Sequence, residues 1–221
     1  MWKKIKKDFN AIFERDPAAV NRFETLLTDS GFHAILFYRF AHWLWTLKIP
    51  LLPRVLSQFS RFLTGIEIHP GAAIGGGFFI DHGSGVVVGE TTEIGENVTL
   101  FQGVTLGGTG KERGKRHPTL GDNVMVGAGA KILGGITLGE GVKIGANSVV
   151  LKSVPPYSTV VGVPGRILQI HDAKLSPLNM NHGDLPDPIS DRLDQLELEL
   201  AELRSLIREH ETNKSKKHLS S

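Results

Sequence analysis

The chain has 221 residues, enough to bury a sizeable core in one large domain or two small ones. With 40% hydrophobic and 22% charged residues it has the composition of a globular protein, and a formal net charge of +2 gives no reason to expect nucleic acid or an anionic membrane as a partner. Cysteine is absent, which excludes disulfides, thiolate metal sites and a covalent thiol nucleophile.

The N-terminal "MWKKIKKDF" is basic with no apolar stretch behind it. The most apolar segment, "AHWLWTLKIPLLP", is interrupted by Lys48 and Pro50, short of the roughly 20 apolar residues a membrane helix needs. The expectation is a cytoplasmic protein without signal peptide or span, in which the sequons at Asn97 and Asn213 are chance matches. Over residues 1–64 the apolar positions fall at helical spacing, for instance Phe32, Ile35, Leu36, Arg39, Phe40, Trp43 and Leu44. This predicts a helical N-terminal domain whose aromatics, Trp43 and Trp45 included, pack in its core.

From Ile68 the period changes to six. Aliphatic residues stand at Ile68, Ile74 and Ile80, then at Val88, Ile94, Leu100 and Leu106, and again at Leu120, Val126, Ile132, Leu138, Ile144 and Val150. A period of six fits neither one strand nor one helix, but it is the hexapeptide repeat of a parallel β-helix, whose stacked coils bury a continuous aliphatic interior. The β-helix is predicted over 65–168. Two interruptions mark candidate site walls, because loops on a rigid scaffold are where binding groups sit. One is a two-residue slip placed at Val86 and Val87, just after "DH"; the other is the glycine-rich, basic insertion "GGTGKERGKRHPT" at 107–119.

Beyond "GVPGR" a polar connector is predicted over 169–188. Ile189, Leu193, Leu196, Leu200, Leu203 and Ile207 then alternate at spacings of four and three, the seam of a coiled coil. A self-association helix over 189–210 is favoured over an amphipathic helix packed on its own chain, and a disordered tail is predicted over 211–221.

Three histidines, His69, His82 and His117, lie within or beside the repeats. A carboxylate on the second nitrogen of a histidine fixes its tautomer and raises its basicity for general-base work. Glu67 with His82 suits such a dyad; equally, Glu67 suits a cap at the junction between helices and solenoid. Two rival readings use the same scaffold: a metal-dependent carbonic anhydrase with His69, His82 and His117 as ligands, and a non-catalytic assembly platform built on the heptads.

Six segments together carry a family likeness: "RDPA" at 15–18, "GFHAILFYRFAHWLW" at 31–45, "IEIHPGAAIG" at 66–75, "FIDHGSGVVVGET" at 79–91, "VTLGGTGKERGKRHP" at 104–118 and "GAKILGGITLGEGVKIGANSVVLKSVPP" at 129–156. Over residues 1–168 the chain resembles serine O-acetyltransferase. The resemblance implies N-terminal helices followed by a left-handed parallel β-helix, an exception to right-handed crossover, and assembly as a homotrimer; with the heptad helix read from its spacing behind it, the expected class is α+β. It implies acetyl transfer from acetyl-CoA to the hydroxyl of L-serine, with His82 as general base oriented by Glu67. Asp16 and Asp81 match the carboxylates for the serine ammonium, Arg116 and His117 the pair for its carboxylate. Gly108, Ala128 and Ala146 match backbone positions along acetyl-CoA, and Lys143 a position near its phosphates. No metal is implied. The resemblance further implies inhibition by L-cysteine. In the family a complex with O-acetylserine sulfhydrylase depends on a C-terminal isoleucine; this chain ends in "HLSS", so that complex is not expected.

Overall fold

The computed structural model describes residues 1–110, 113–170, 198–200 and 203–204. Four helices form the front end: α1 (Trp2–Arg15), α2 (Arg22–Thr28), α3 (Ser30–Thr46) and α4 (Leu52–Thr64). Capping chemistry sets their boundaries. The Asn21 and Asp29 side chains accept from the amides of Phe23 and Phe32, satisfying first-turn donors of α2 and α3. Pro53 sits in the first turn of α4, where no N–H is required, and Gly65 ends that helix in a left-handed conformation at φ 71°. Among the described residues no helix is long and apolar enough to cross a membrane.

The helical core differs from expectation. Phe32, Ile35, Tyr38 and Leu44 are buried, but Trp43 and Trp45 keep 44% and 37% of their surface exposed. Helical periodicity identifies a stripe, and α3 is apolar nearly all round, so the pattern alone does not tell the inward stripe from the outward one. The inward side is fixed instead by a buried ion pair. Arg39 donates through Nε and Nη2 to the two carboxylate oxygens of Asp8 at 3.0 and 3.1 Å, and through Nη1 to the carbonyl of Ile74 at 2.7 Å. Asp8 also accepts from the amide of Phe78 at 3.0 Å, so one pair joins α1, α3 and the first coil of the solenoid.

The solenoid winds through three flat faces. Its first coil contains β1 (Glu67–Ile68), β2 (Ala73–Ile74) and β3 (Phe79–Asp81), and its second β4 (Val87–Val88), β5 (Glu93–Ile94) and β6 (Thr99–Phe101). The third has β7 (Thr105–Gly107), β8 (Thr119–Leu120) and β9 (Met125–Val126); the fourth has β10 (Lys131–Leu133), β11 (Thr137–Leu138) and β12 (Lys143–Ile144). The last contains β13 (Val149–Val150) and β14 (Ser158–Val161). Parallel ladders stack β1, β4, β7, β10 and β13 on a first face, β2, β5, β8 and β11 on a second, and β3, β6, β9, β12 and β14 on a third. The architecture is the left-handed β-helix of hexapeptide repeats. Every aliphatic residue of the six-residue period, from Ile68 to Val150, is exposed by 5% or less. Burying each contributes about 1.5–3 kcal/mol, which is why the period survives both interruptions.

A strand beyond the repeats was not anticipated. β15 (Arg166–Ile170) turns back antiparallel on β14, closing the third face where a connector was predicted from 169. The helices and coils belong to one compact unit, Met1–His182, and the chain from Gly183 to Ser221 forms another. The predicted heptad helix over 189–210 falls largely outside the described residues; 198–200 and 203–204 are helical, with Leu198, Leu200 and Leu203 exposed.

Candidate active site

The phase slip lies at the edge between the third and first faces. There Asp81 pairs with Phe101 of the coil above, and the amide of Gly103 donates to the carbonyl of Ser84 at 2.8 Å. Gly103 thus stacks on Gly85, and between those fixed registers Phe101 and Gly103 are separated by Gln102 alone, whereas Asp81 and Gly85 are separated by three residues, the last of which, Ser84, matches Gln102. The extra pair is therefore His82 and Gly83. Val86 and Val87, to which the slip was assigned, keep the ladder: the amide of Glu67 donates to Val86 O and that of Val87 to Val104 O, both at 2.9 Å. Each later coil makes this corner with one left-handed residue, Gly103, Gly129 or Asn147, stacked over Gly85. Only in the first coil do His82 (φ 58°) and Gly83 (φ 72°) bulge out ahead of it. A left-handed conformation is disfavoured for histidine, and such strain concentrates at functional sites.

The bulge leaves the His82 side chain 79% exposed, with Nε2 3.8 Å from Asp81 Oδ1. It faces a cleft of about 280 Å³ whose walls include Asp16, Glu24, Asp29, Ser30 and Asp81. Asp16 is oriented by the amide of Ala18, which donates to its Oδ1 at 2.8 Å. Asp29, the N-cap of α3, accepts from Phe32 at 2.6 Å. Burial pushes the Asp29 carboxyl above the ordinary carboxylate range, and the charges of Asp16 and Asp81 push it the same way. Four carboxylates, Asp16, Glu24, Asp29 and Asp81, thus line a cleft beside one exposed imidazole, an arrangement that attracts a cation. Sequence reasoning reached Asp16 and Asp81 and missed Asp29, whose "TDSG" context reads only as a helix cap.

Glu67 lies on β1, at the start of the coil that ends in the bulge. Its Oε2 is 3.1 Å from Nη1 of Arg61, in the last turn of α4. Among the described residues no hydrogen bond or ion pair joins Glu67 to His82. The helix cap at this junction is Gly65, not Glu67.

Arg116 and His117 stand on a different edge, between the first and second faces, and neither lines the cleft of His82. Arg116 Nη2 meets Glu90 Oε2 at 2.6 Å, and this contact draws the Glu90 carboxyl below its ordinary range. The Thr91 hydroxyl accepts from the amides of Arg116 and His117, each at 3.1 Å, and lies 2.9 Å from Nδ1 of His117. Lys115 donates to the carbonyl of Thr91 at 2.7 Å. The end of the basic insertion is thereby fastened to one threonine. His117 is only 8% exposed, and burial, reinforced by the Arg116 charge, lowers its pKa. His69 occupies the same edge two coils down, in the first coil. His69 and His117 therefore share an edge that His82 does not, and no group of three metal-ligating side chains is present among the described residues.

The predicted acetyl-CoA positions divide in the same way. Ala128 and Ala146 stack at the edge of His82, the amide of Asn147 donating to Ala128 O at 2.8 Å, and Lys143 lies on the adjoining third face. Gly108 is on the other edge, beside Arg116 and His117.

Comparison with known proteins agrees with this division into helices and coils. The family description "Serine acetyltransferase, N-terminal" matches residues 1–36, and "Bacterial transferase hexapeptide (six repeats)" matches residues 117–152. A serine acetyltransferase of Bacillus subtilis is 57% identical over 204 residues, 92% of this chain and 94% of that one. The chain belongs to the serine acetyltransferase family. Among solved serine acetyltransferases, that of Neisseria gonorrhoeae in complex with serine superposes with a TM-score of 0.74 at 45% identity, covering 76% of this chain and 69% of that one. Another, in complex with cysteine, superposes with a TM-score of 0.79 at 47% identity, covering 83% and 71%. The serine acetyltransferase front end thus coincides with the helices that carry Asp16 and Asp29 to the first coil.

Proposed function

We propose that this enzyme transfers the acetyl group of acetyl-CoA to the hydroxyl of L-serine, giving O-acetyl-L-serine and CoA, the first step from serine toward cysteine. The observation that carries the reading is the bulged first-coil corner, which presents His82 to a cleft with Asp16 and Asp81 in its wall. An amino acid is recognised by opposite charges at its two ends. Asp16 and Asp81 bind the ammonium, and Arg116 with His117 binds the carboxylate, the guanidinium supplying a planar two-donor fork.

Those two pairs stand on different edges of one chain, so the serine site requires a second copy whose basic edge faces the acidic cleft. A cyclic homotrimer in the cytoplasm repeats that arrangement three times. Acetyl-CoA then lies in the same intersubunit groove, along Ala128 and Ala146 with Lys143 toward its phosphates and Gly108 contributed from the facing edge.

His82 takes the proton from the serine hydroxyl as that oxygen attacks the thioester carbon. Glu67 orients the imidazole, and the tetrahedral oxyanion collapses by breaking the carbon–sulfur bond. The leaving CoA thiolate regains the proton from the imidazolium, so His82 ends the cycle neutral. L-cysteine has the same ammonium and carboxylate as serine and competes for both pairs, a reading supported by the related enzyme solved with cysteine.

The test is CoA release with L-serine and acetyl-CoA for the native chain and His82→Ala. The expected loss is ~10²–10⁴-fold, the usual contribution of a general base. A His82→Ala enzyme that is correctly folded and turns over at the native rate would falsify the mechanism.

A further inference from the structure

Glu67 engages an arginine from a neighbouring element rather than the histidine it is proposed to orient. We propose that Arg61 is a positioning residue for Glu67, holding one carboxylate oxygen so that the other is presented to His82. The inference rests on the reading of His82 as general base.

The chain path creates the pair. Arg61 is in the last turn of α4, its carbonyl accepting from the amide of Gly65 at 2.8 Å. The left-handed Gly65 then reverses the chain into β1, which returns Glu67 past the turn that holds Arg61. The same reversal lays β1 beneath the catalytic bulge. Gly85 donates to the carbonyl of Gly65 at 3.0 Å and Glu67 to that of Val86 at 2.9 Å, while a Cβ on Gly83 would strike the side chain of Ile66. The residues flanking Glu67 are thus directly under those that follow His82.

A glutamate in this position has three rotatable side-chain bonds, and ordering them costs entropy at every turnover unless something fixes the carboxylate. Arg61 Nη1 at 3.1 Å from Oε2 does so, and among the described residues it is the only side-chain partner of Glu67. A carboxylate accepts at both oxygens, so Oε1 keeps its capacity for an imidazole N–H. A role in stability alone gives little reason for the pair: Arg61 is 57% and Glu67 26% exposed, and exposed ion pairs add little to folding.

The experiment measures kcat and both KM values for the full chain and for Arg61→Ala, Glu67→Gln, the double variant and His82→Ala, with thermal melting as a check on folding. Arg61→Ala is expected to lose about tenfold or more in kcat, a part of the ~10²–10⁴ supplied by an oriented base. Both KM values stay within about twofold, as for an interaction made only in the transition state. In the Glu67→Gln background the same change costs nothing further, because no carboxylate remains to be positioned. Native kcat in Arg61→Ala, with His82→Ala inactive, overturns the inference and leaves the reading of His82 intact. Equal losses in both backgrounds, or a loss confined to KM, also overturn it. An active His82→Ala overturns the reading and the inference together.

Discussion

Ser84 occupies, at the edge between the third and first faces, the position that Gln102 occupies one coil above: Gly103 donates to Ser84 O at 2.8 Å as Gly129 donates to Gln102 O at 2.8 Å. With that correspondence fixed, the departure from six-residue spacing consists of His82 and Gly83. We predict that deleting these two residues leaves a regular corner and a folded chain without acetyl transfer. Deleting Val86 and Val87 restores the count equally well, but puts Ser84 in the interior place of Val86, which is fully buried. The first deletion should be the more stable by about 2 kcal/mol, the burial of one valine. Denaturant unfolding of the two deletions checks the order; the reverse order, with Val86 and Val87 dispensable, defeats the assignment.

Arg39 and Asp8 are 4% and 0% exposed, and each satisfies further groups on the first coil. Removing one partner of a buried pair leaves an uncompensated charge, at a cost of about 3–5 kcal/mol. Arg39→Met is therefore expected to unfold at markedly lower denaturant concentration and to lose helical signal before the solenoid melts, because α1 and α3 are held to the first coil through this pair. A single transition at the native midpoint would show that the pair is not what docks the helices.

The solenoid was legible because its period is a property of every coil: each aliphatic position repeats, and all of them are interior. The helices were legible as helices, but their inward side was not. On α3 the decisive contacts are polar, Arg39 to Asp8 and Tyr38 Oη to Ala72 O at 2.7 Å, and these depend on partners far away in sequence. On α4 the pattern is inverted, since Ser57 and Ser60 face inward while Phe59 and Phe62 face out. Of the site, the residues inside motifs were found one by one, whereas their grouping was not. Asp29 matters as a wall of the cleft, Glu90 through a contact between coils and Arg61 through a contact between helix and coil, and a single chain separates Asp16, Asp81 and His82 from Arg116 and His117 in a way no spacing reveals.

Gly89 provides a probe of the basic edge. A Cβ at this position would overlap the ring of His117, and His117 also rests on Thr91. We predict that Gly89→Ala folds but displaces the imidazole, raising KM for serine by about tenfold, the worth of one charge-assisted hydrogen bond. Glu90→Gln should raise it similarly by releasing the Arg116 guanidinium, held now at 2.6 Å. The KM for acetyl-CoA serves as control, and an unchanged serine KM in both variants would remove Arg116 and His117 from the serine site.

His69 supplies a pH dependence whose sign is fixed. Burial, with a contribution from the Arg54 charge, lowers its pKa from 6.5 to about 4. Its Nδ1 accepts from the amide of Gly71 at 2.9 Å, and Trp45 packs edge-on at 5.4 Å, so the native site favours the neutral ring. Between pH 6.5 and about 4 the unfolded chain binds a proton that the folded chain does not, and stability therefore rises with pH across this window. It is fully present above 6.5 and declines on acidification until the folded ring itself protonates near 4. Because the ring is only part-buried, solvent screening reduces the effect to about 1–2 kcal/mol. His69→Asn retains an acceptor for Gly71 but does not titrate here, so its stability should fall less steeply over the same range. Parallel curves of unfolding free energy against pH for the native chain and His69→Asn would assign the acid sensitivity to other groups.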